Sequence, residues 1–210
     1  MAAHPLLAVL QNAAAGRFPP VDGAVDVLPR WRSLEAVIAF TGHAFVATAL
    51  EADAIRAAGA DGYGGAHDAR FLTWLAGEDG WIGCLDNLLV APGLDAPALP
   101  ERSDLDDHPR VRLARNLRVD VHVYGDDRGL VIIGTGMAGR LDVSVEIPEH
   151  ARSRGAGRSL ITDARGLACE AGWLFASVSP GNAASLRAFL AAGFRPIGGE
   201  VLLRPAREAR

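Results

Sequence analysis

The chain has 210 residues, 50% of them hydrophobic and 22% charged, with a formal net charge of -4. That length supports one well-buried domain with room for a sub-domain, and the apolar share excludes general disorder. The negative balance excludes a whole-molecule basic field, so neither nucleic acid nor an acidic membrane is an expected partner, while a local arginine patch stays compatible with it.

All 21 basic residues are arginine. Arginine stays protonated and its planar fork grips phosphate oxygens in pairs, although codon bias explains the missing lysine more simply. The two cysteines, Cys84 and Cys169, fit neither a Cys-x-x-Cys nor a zinc-ligand spacing, so no disulfide scaffold is expected and a reducing compartment fits. The apolar runs fall short of the roughly 20 residues of a membrane helix. The run Pro5–Leu10 is short and has no basic residue before it, which argues against a signal peptide. A cytoplasmic location is the expectation.

In chain order, residues 1–30 read as a short apolar helix followed by a loop through Pro19 and Pro20. Residues 34–48 hold two apolar runs divided by Gly42, which predicts two short strands or a hairpin. Residues 51–58 predict a helix stopped by Gly59, and His67 to Leu75 another. Trp81 to Val90 is apolar without a clear period. Residues 92–109 carry Pro92, Pro97, Pro100 and Pro109 among acids and read as a linker or long loop. Pro109 to Arg118 predicts a helix with Val111 and Ala114 on one face and Arg110, Arg112, Arg115 and Arg118 around it. Val119, Val121 and Val123 alternate with polar residues, Leu130 to Ile133 is a second strand, and Leu141, Val143 and Val145 alternate with Asp142, Ser144 and Glu146. Three strands with short connections predict an antiparallel meander. A helix from about Gly157 to Glu170, a strand over Leu174–Val178, a helix over Ala183–Ala191 ended by Gly193, and one or two strands over Phe194–Leu203 complete the chain.

Two glycine-rich turns compete for a phosphate-binding role. Gly134-Thr135-Gly136-Met137-Ala138-Gly139 fits G-x-G-x-x-G, but a dinucleotide fold needs a helix next, and the residues after Gly139 alternate like a strand. Arg152-Ser153-Arg154-Gly155-Ala156-Gly157-Arg158-Ser159 follows a strand and opens a helix. There the glycines let backbone approach a ligand, and the first free N–H groups with the helix dipole can hold a diphosphate. An ordinary strand-to-helix turn with solvated arginines explains the same letters.

This second turn resembles the R/Q-x-x-G-x-G/A pyrophosphate loop of the GNAT superfamily of N-acetyltransferases, with Arg152, Gly155 and Gly157 at its fixed positions. Val145-Glu146-Ile147-Pro148-Glu149 resembles that family's lead-in, and Ser179 to Phe194 its later block, through Asn182, Ser185, Phe189 and the terminal Gly193-Phe194. The resemblance covers residues 110–204 and implies an α/β (α+β) fold with a mixed, mostly antiparallel central sheet flanked by helices. Residues 1–109 are an N-terminal part of unclear relation, either acceptor-side helices or a sub-domain, and the two parts could form one continuous domain.

The resemblance further implies acetyl-CoA as acyl donor, no metal, and an amine of a small molecule or peptide as acceptor. Two central strands would splay, with the backbones of Val145 and Ile147 meeting the pantetheine. Arg152, Arg154, Gly155, Ala156, Gly157, Arg158 and Ser159 would take the pyrophosphate, and Asn182 and Ser185 would sit beside the CoA arm. Asn182 could equally cap the following helix. Glu146 is the candidate base, because a strand acid near the thioester could be tuned by partial burial; the competing reading is an ion pair with an arginine. Asp142 and His150 are weaker candidates, expected to be solvated. The family often has tyrosine where this chain has Phe189, so Tyr124, a water or unaided departure must serve the thiolate. Pairing through the C-terminal strands into a homodimer is common in the family. His43, His67, His108 and His122 are scattered and form no metal spacing. Beside the enzyme stand two other readings: a catalytically weak acyl-CoA-binding sensor, which Phe189 favours, and a nucleotide-dependent enzyme using Gly134–Gly139.

Overall fold

The computed structural model describes residues 3–152 and 155–206. The chain forms two compact units, one running through Leu88 and resuming at Ile197, the other spanning Leu89–Pro196.

The first unit opens with helix α1 (Pro5–Ala14), whose stripe Leu6, Leu10, Ala13 and Ala14 is buried at the three-to-four-residue spacing of a helix face. Strand β1 (Val25–Pro29) follows, in a segment whose sequence reads as loop. It pairs in parallel with β3 (His43–Thr48), with Asp26 opposite Phe45, and so depends on a partner distant in sequence. β2 (Glu35–Phe40) and β3 form the expected hairpin, and Phe40↔His43 is its last pair. The two-residue connection puts Gly42 at φ +69, and a Cβ there would stand 2.4 Å from Val21 Cγ1. Glycine is therefore required twice, for conformation and for the close approach of residues 21–23.

α2 (Ala52–Ala57) stops before Gly59 as expected, while α3 (Ala69–Ala76) starts two residues later than the sequence pattern suggests. The reason is Asp68, whose carboxylate accepts from the Arg70 N–H at 2.8 Å and caps the helix there. The ambiguous segment after it becomes β4 (Trp81–Ile82) and β5 (Asp86–Pro92). The end of the chain is one strand, β10 (Arg195–Arg204), which pairs antiparallel with β2 over Gly199–Leu203 and with β4 at Leu203 and Arg204. Val37, Val46, Ile55, Phe71, Leu75, Val201 and Leu203 pack together as this unit's core.

In the second unit, α4 (Pro109–Leu117) precedes the meander β6 (Val119–Asp126), β7 (Gly129–Thr135) and β8 (Leu141–Glu146). Both pairings in that meander are antiparallel, as expected. α5 (Ala156–Ala164), β9 (Trp173–Val178) and α6 (Ala183–Ala191) follow, and β9 runs parallel to β8. β7 explains the layering. Its unbroken run Leu130–Ile133 is buried on both sides: Leu130 and Ile132 join Val111 and Ala114 of α4, whereas Val131 and Ile133 join Leu160, Ile161 and Phe189 of α5 and α6. A strand covered by helices on both faces reads as continuous apolar sequence. The result is a mixed, mostly antiparallel sheet flanked by helices.

α5 is shorter than expected. It ends at Ala164 and tightens into a 3-10 turn over Arg165–Ala168, where the Arg165 side chain leaves to bond the carbonyls of Pro92 and Ala192 at 3.0 and 2.9 Å. Among the described residues no helix is long and apolar enough to cross a membrane.

One titration is built into the first unit. Burial first, and the nearby Glu200 carboxylate second, push the Asp86 carboxyl from 3.8 up to about 6. A raised carboxyl favours the folded state when protonated. That contribution is complete below about pH 4 and is lost as pH rises through about 6. Asp86→Asn should therefore be more stable than the parent above pH 7, by about 1 kcal/mol after allowance for solvent screening, with the difference closing at pH 4. Thermal melts across that pH range read it directly.

Candidate functional site

β8 and β9 share the registered pair Asp142↔Phe175, and no residue further along β8 is registered with β9 among the described residues. At the end of β8 a cleft of about 620 Å³ opens. Its lining is Arg110, Val145, Glu146, Ile147, Arg152, Gly155, Gly157, Arg158, Ile161, Asn182, Ala184, Ser185, Arg187, Ala188 and Phe189. Most of the sequence-derived candidates meet here: Val145 and Glu146 from the end of β8 with Ile147 just after it, Arg152, Gly155, Gly157 and Arg158 from the turn and helix start, Asn182 and Ser185 from the start of α6.

The turn has the local form that anion binding needs. Gly155 sits at φ +78 immediately before α5, and no side chain caps that helix end among the described residues. The N–H groups of its first turn are thus left to solvent or a ligand. A Cβ on Gly157 would lie 3.5 Å from Ile147 Cγ1 and 3.6 Å from Ala188 Cβ, so alanine fits and anything larger enters the space between β8 and α6. Arg152 donates from Nε to the Ile147 carbonyl at 3.1 Å, bracing the turn against the strand end. Asn182 accepts from the Ser185 N–H at 3.1 Å; it caps α6 and lines the cleft at once.

Some candidates lie elsewhere. Arg154 is outside the described residues. Ala156 is in the first turn of α5 but does not line the cleft, and the Ser159 hydroxyl accepts from Arg128, which also pairs with Asp126 and Asp163. Tyr124 packs against the core and away from the lining; burial, then Glu101, push its phenol up. Arg110, Arg187, Ile161, Ala184 and Ala188 line the cleft without having been singled out for it, and Phe189, where the resemblance looks for a tyrosine, lines it too. The sequence placed Arg110 only among the arginines around an apolar helix face and gave Arg187 no role, and only the packing of α4 and α6 brings both to the cleft.

Glu146 is ion-paired: Arg110 Nε lies 2.8 Å from Oε2, and His108 Nε2 lies 3.9 Å from Oε1. The pairing follows from matched repeats. Arg110 in the first turn of α4 and Arg118, which caps its end, are eight residues apart, about 12 Å along the helix. Asp142 and Glu146 are four apart on β8, about 13 Å. At the other end of this ladder Arg118 bonds the Ser144 hydroxyl at 2.8 Å and approaches Asp142 at 3.9 Å. Asp142 is not solvated, contrary to expectation. It is 5% exposed and receives Arg140 Nε at 2.7 Å, while the fully buried Arg140 lies 5.7 Å over the Phe175 ring. Arg140 and Arg118 converge on its carboxylate and cover it. His150 is exposed as expected.

The same carboxylate accounts for the first glycine turn. A Cβ on Gly136 would lie 1.8 Å from Asp142 Oδ2. Gly139 is followed by β8 and not by a helix, so the dinucleotide geometry is absent and Gly136 makes room for a buried charge.

No family model matches the sequence, and no curated protein does. Three solved structures align with part of the chain. An acetyltransferase of the GNAT family from Colwellia psychrerythraea is 11% identical over 59% of this chain and 56% of its own, with a TM-score of 0.42. One of the GNAT family from Novosphingobium aromaticivorans is 19% identical over 61% of this chain and 68% of its own, at 0.39. A GCN5-related N-acetyltransferase from Kribbella flavida is 14% identical over 67% and 64%, at 0.37. This chain thus spans little more than half the length of the first, 56%.

Removing one partner of the buried pair leaves the other charge unpaired. Asp142→Asn should cost about 3 kcal/mol or more in denaturant unfolding. Gly136→Ala should also destabilise the fold, because the clash falls on a side chain held by Arg140.

Proposed function

We propose that the protein is an acyl-CoA-dependent N-acyltransferase, with acetyl-CoA as donor and a primary amine as acceptor. The observation that carries this reading is the cleft at the end of β8, lined by Gly155 and Gly157 of the α5 start and by Arg152, Arg158 and Arg187. An elongated ligand with a diphosphate fits that arrangement: oxygens at the uncapped N–H groups and arginines, amide-bearing arm along the backbone of Val145 and Ile147. The resemblance of the turn and of the Asn182–Phe194 block to the GNAT superfamily supports the same assignment.

The reaction is attack of a neutral amine on the thioester carbonyl. A C–N bond forms, the C–S bond breaks, the amine loses a proton and the thiolate gains one. Glu146 is the one carboxylate among the described lining residues, and it is proposed to take the amine proton directly or through a water. Arg110 pairs with it at 2.8 Å at the strand end, so proton transfer to it requires that contact to loosen. None of the described lining residues is tyrosine, cysteine or histidine. Phe189 carries no proton and lies edge-on to Phe194 at 4.9 Å, so the thiolate departs unaided or is protonated by water. The donor and acceptor, a cytoplasmic setting and a homodimer all belong to this proposal.

A second reading, binding of acyl-CoA without turnover, is favoured by Phe189 and by the Arg110–Glu146 pair. Calorimetric titration with acetyl-CoA, with NAD as control, tests what both share. Saturable binding of acetyl-CoA alone is expected. Gly157→Trp should abolish it with the fold intact, while Gly157→Ala should retain it. Glu146→Gln should lower kcat/KM on an amine substrate about a hundredfold or more with little change in acetyl-CoA affinity. Binding without turnover across an amine panel would select the sensor, and no binding of acetyl-CoA or CoA would overturn both.

A further inference from the structure

The first unit holds a cavity of about 580 Å³ that the acyltransferase reading leaves unused. It is built where the segment before β1 meets the start of β3. The N–H groups of Asp22 and Gly23 both donate to the Gly42 carbonyl, at 3.2 and 2.9 Å, which brings Asp22 beside His43. His43 is 4% exposed, and its Nδ1 lies 2.8 Å from Asp22 Oδ1. On the other side of the ring Asp26 Oδ2 stands 3.4 Å from Nε2, without a hydrogen bond at that nitrogen among the described residues. One buried imidazole therefore stands between two carboxylates, whose side chains are 43% and 61% exposed.

The Ala24 N–H first, and His43 second, hold the Asp22 carboxyl below the ordinary carboxylate range. The opposing charge is Arg17, which is turned onto the Asn12 side-chain oxygen by bonds of 2.7 and 3.2 Å. Two carboxylates thus face one arginine already engaged.

The rest of the wall is apolar. Phe45 stacks at a tilt on His43 with ring centres 4.8 Å apart, and Phe18, 54% exposed, stands at the lining with its ring edge-on to Phe40 at 6.1 Å. An exposed phenylalanine beside paired carboxylates is an arrangement for an organic cation, which gains from the ring face and the acids together. Among the described residues no group of three or more His, Cys, Asp or Glu could hold a metal ion.

We infer that this cavity binds a small organic monocation, a primary ammonium on an apolar or aromatic body, with the ammonium on Asp22 and Asp26 and the body against Phe18 and Phe45. The site rests on no part of the acyltransferase reading, and its test is run without acetyl-CoA. Calorimetric and ligand-observed magnetic-resonance titrations of the full chain would use 2-phenylethylammonium, with 2-phenylethanol and 3-phenylpropionate as controls. The ammonium should saturate, and the neutral and anionic analogues should bind about tenfold more weakly or worse. Asp26→Asn and Phe18→Ala alter exposed side chains and should melt like the parent; each should weaken the ammonium severalfold. Equal binding of the controls, an ammonium affinity unmoved by Asp26→Asn, saturation by zinc in place of the ammonium, or no saturation at about 10 mM would each overturn the assignment.

Discussion

The second unit depends on β8, the strand between β7 and β9. It is registered with β7 from Leu141 to Glu146 and with β9 at Asp142↔Phe175, and its end, Val145 and Glu146, lines the cleft. Where a strand stops, its N–H and C=O groups need other partners. The chain answers with a turn: Pro148 follows the ladder, the Arg152 guanidinium takes the Ile147 carbonyl, and Gly155 starts α5 beside the cleft.

What holds β8 in that register is a polar stripe on its opposite face. Asp142, Ser144 and Glu146 answer Arg118 and Arg110 across α4, because eight residues of helix and four of strand cover nearly the same distance. The buried end of the stripe, Arg140 with Asp142, is structural. The half-exposed end, Glu146 with Arg110, is where the same geometry meets the cleft and where a proton acceptor can be reached. A single alternating pattern thus serves stability at one end and supplies a candidate chemical group at the other.

The first unit shows the same economy in its hairpin. Gly42 admits residues 21–23 against the β2–β3 turn, and that close approach both starts the parallel pairing of β1 and carries Asp22 to His43. Asp26 joins them because it pairs with Phe45, two residues beyond His43.

Much of this was legible from residues alone. The unbroken Leu130–Ile133 run, the alternation over Leu141–Glu146, Pro109 at the first turn of α4 and Gly193 after α6 place their elements because periodicity and backbone freedom act locally. The Arg152–Gly157 turn was legible for the same reason, since a glycine start to a helix is a short-range feature. Four things were decided only by tertiary packing. β1 exists through a parallel partner nearly twenty residues away, in a segment that by itself reads as loop. Asp142, one letter in an alternating strand, is buried because Arg140 and Arg118 converge on it. Tyr124 and Ser159 turn from the cleft, toward the core and Arg128, while Arg110 and Arg187 line it. Asp22, Asp26 and His43 become a cluster only where strand pairing brings them together. Periodicity reports which residues share a face; it carries no information about which distant face closes over them, and burial and charge pairing are settled there.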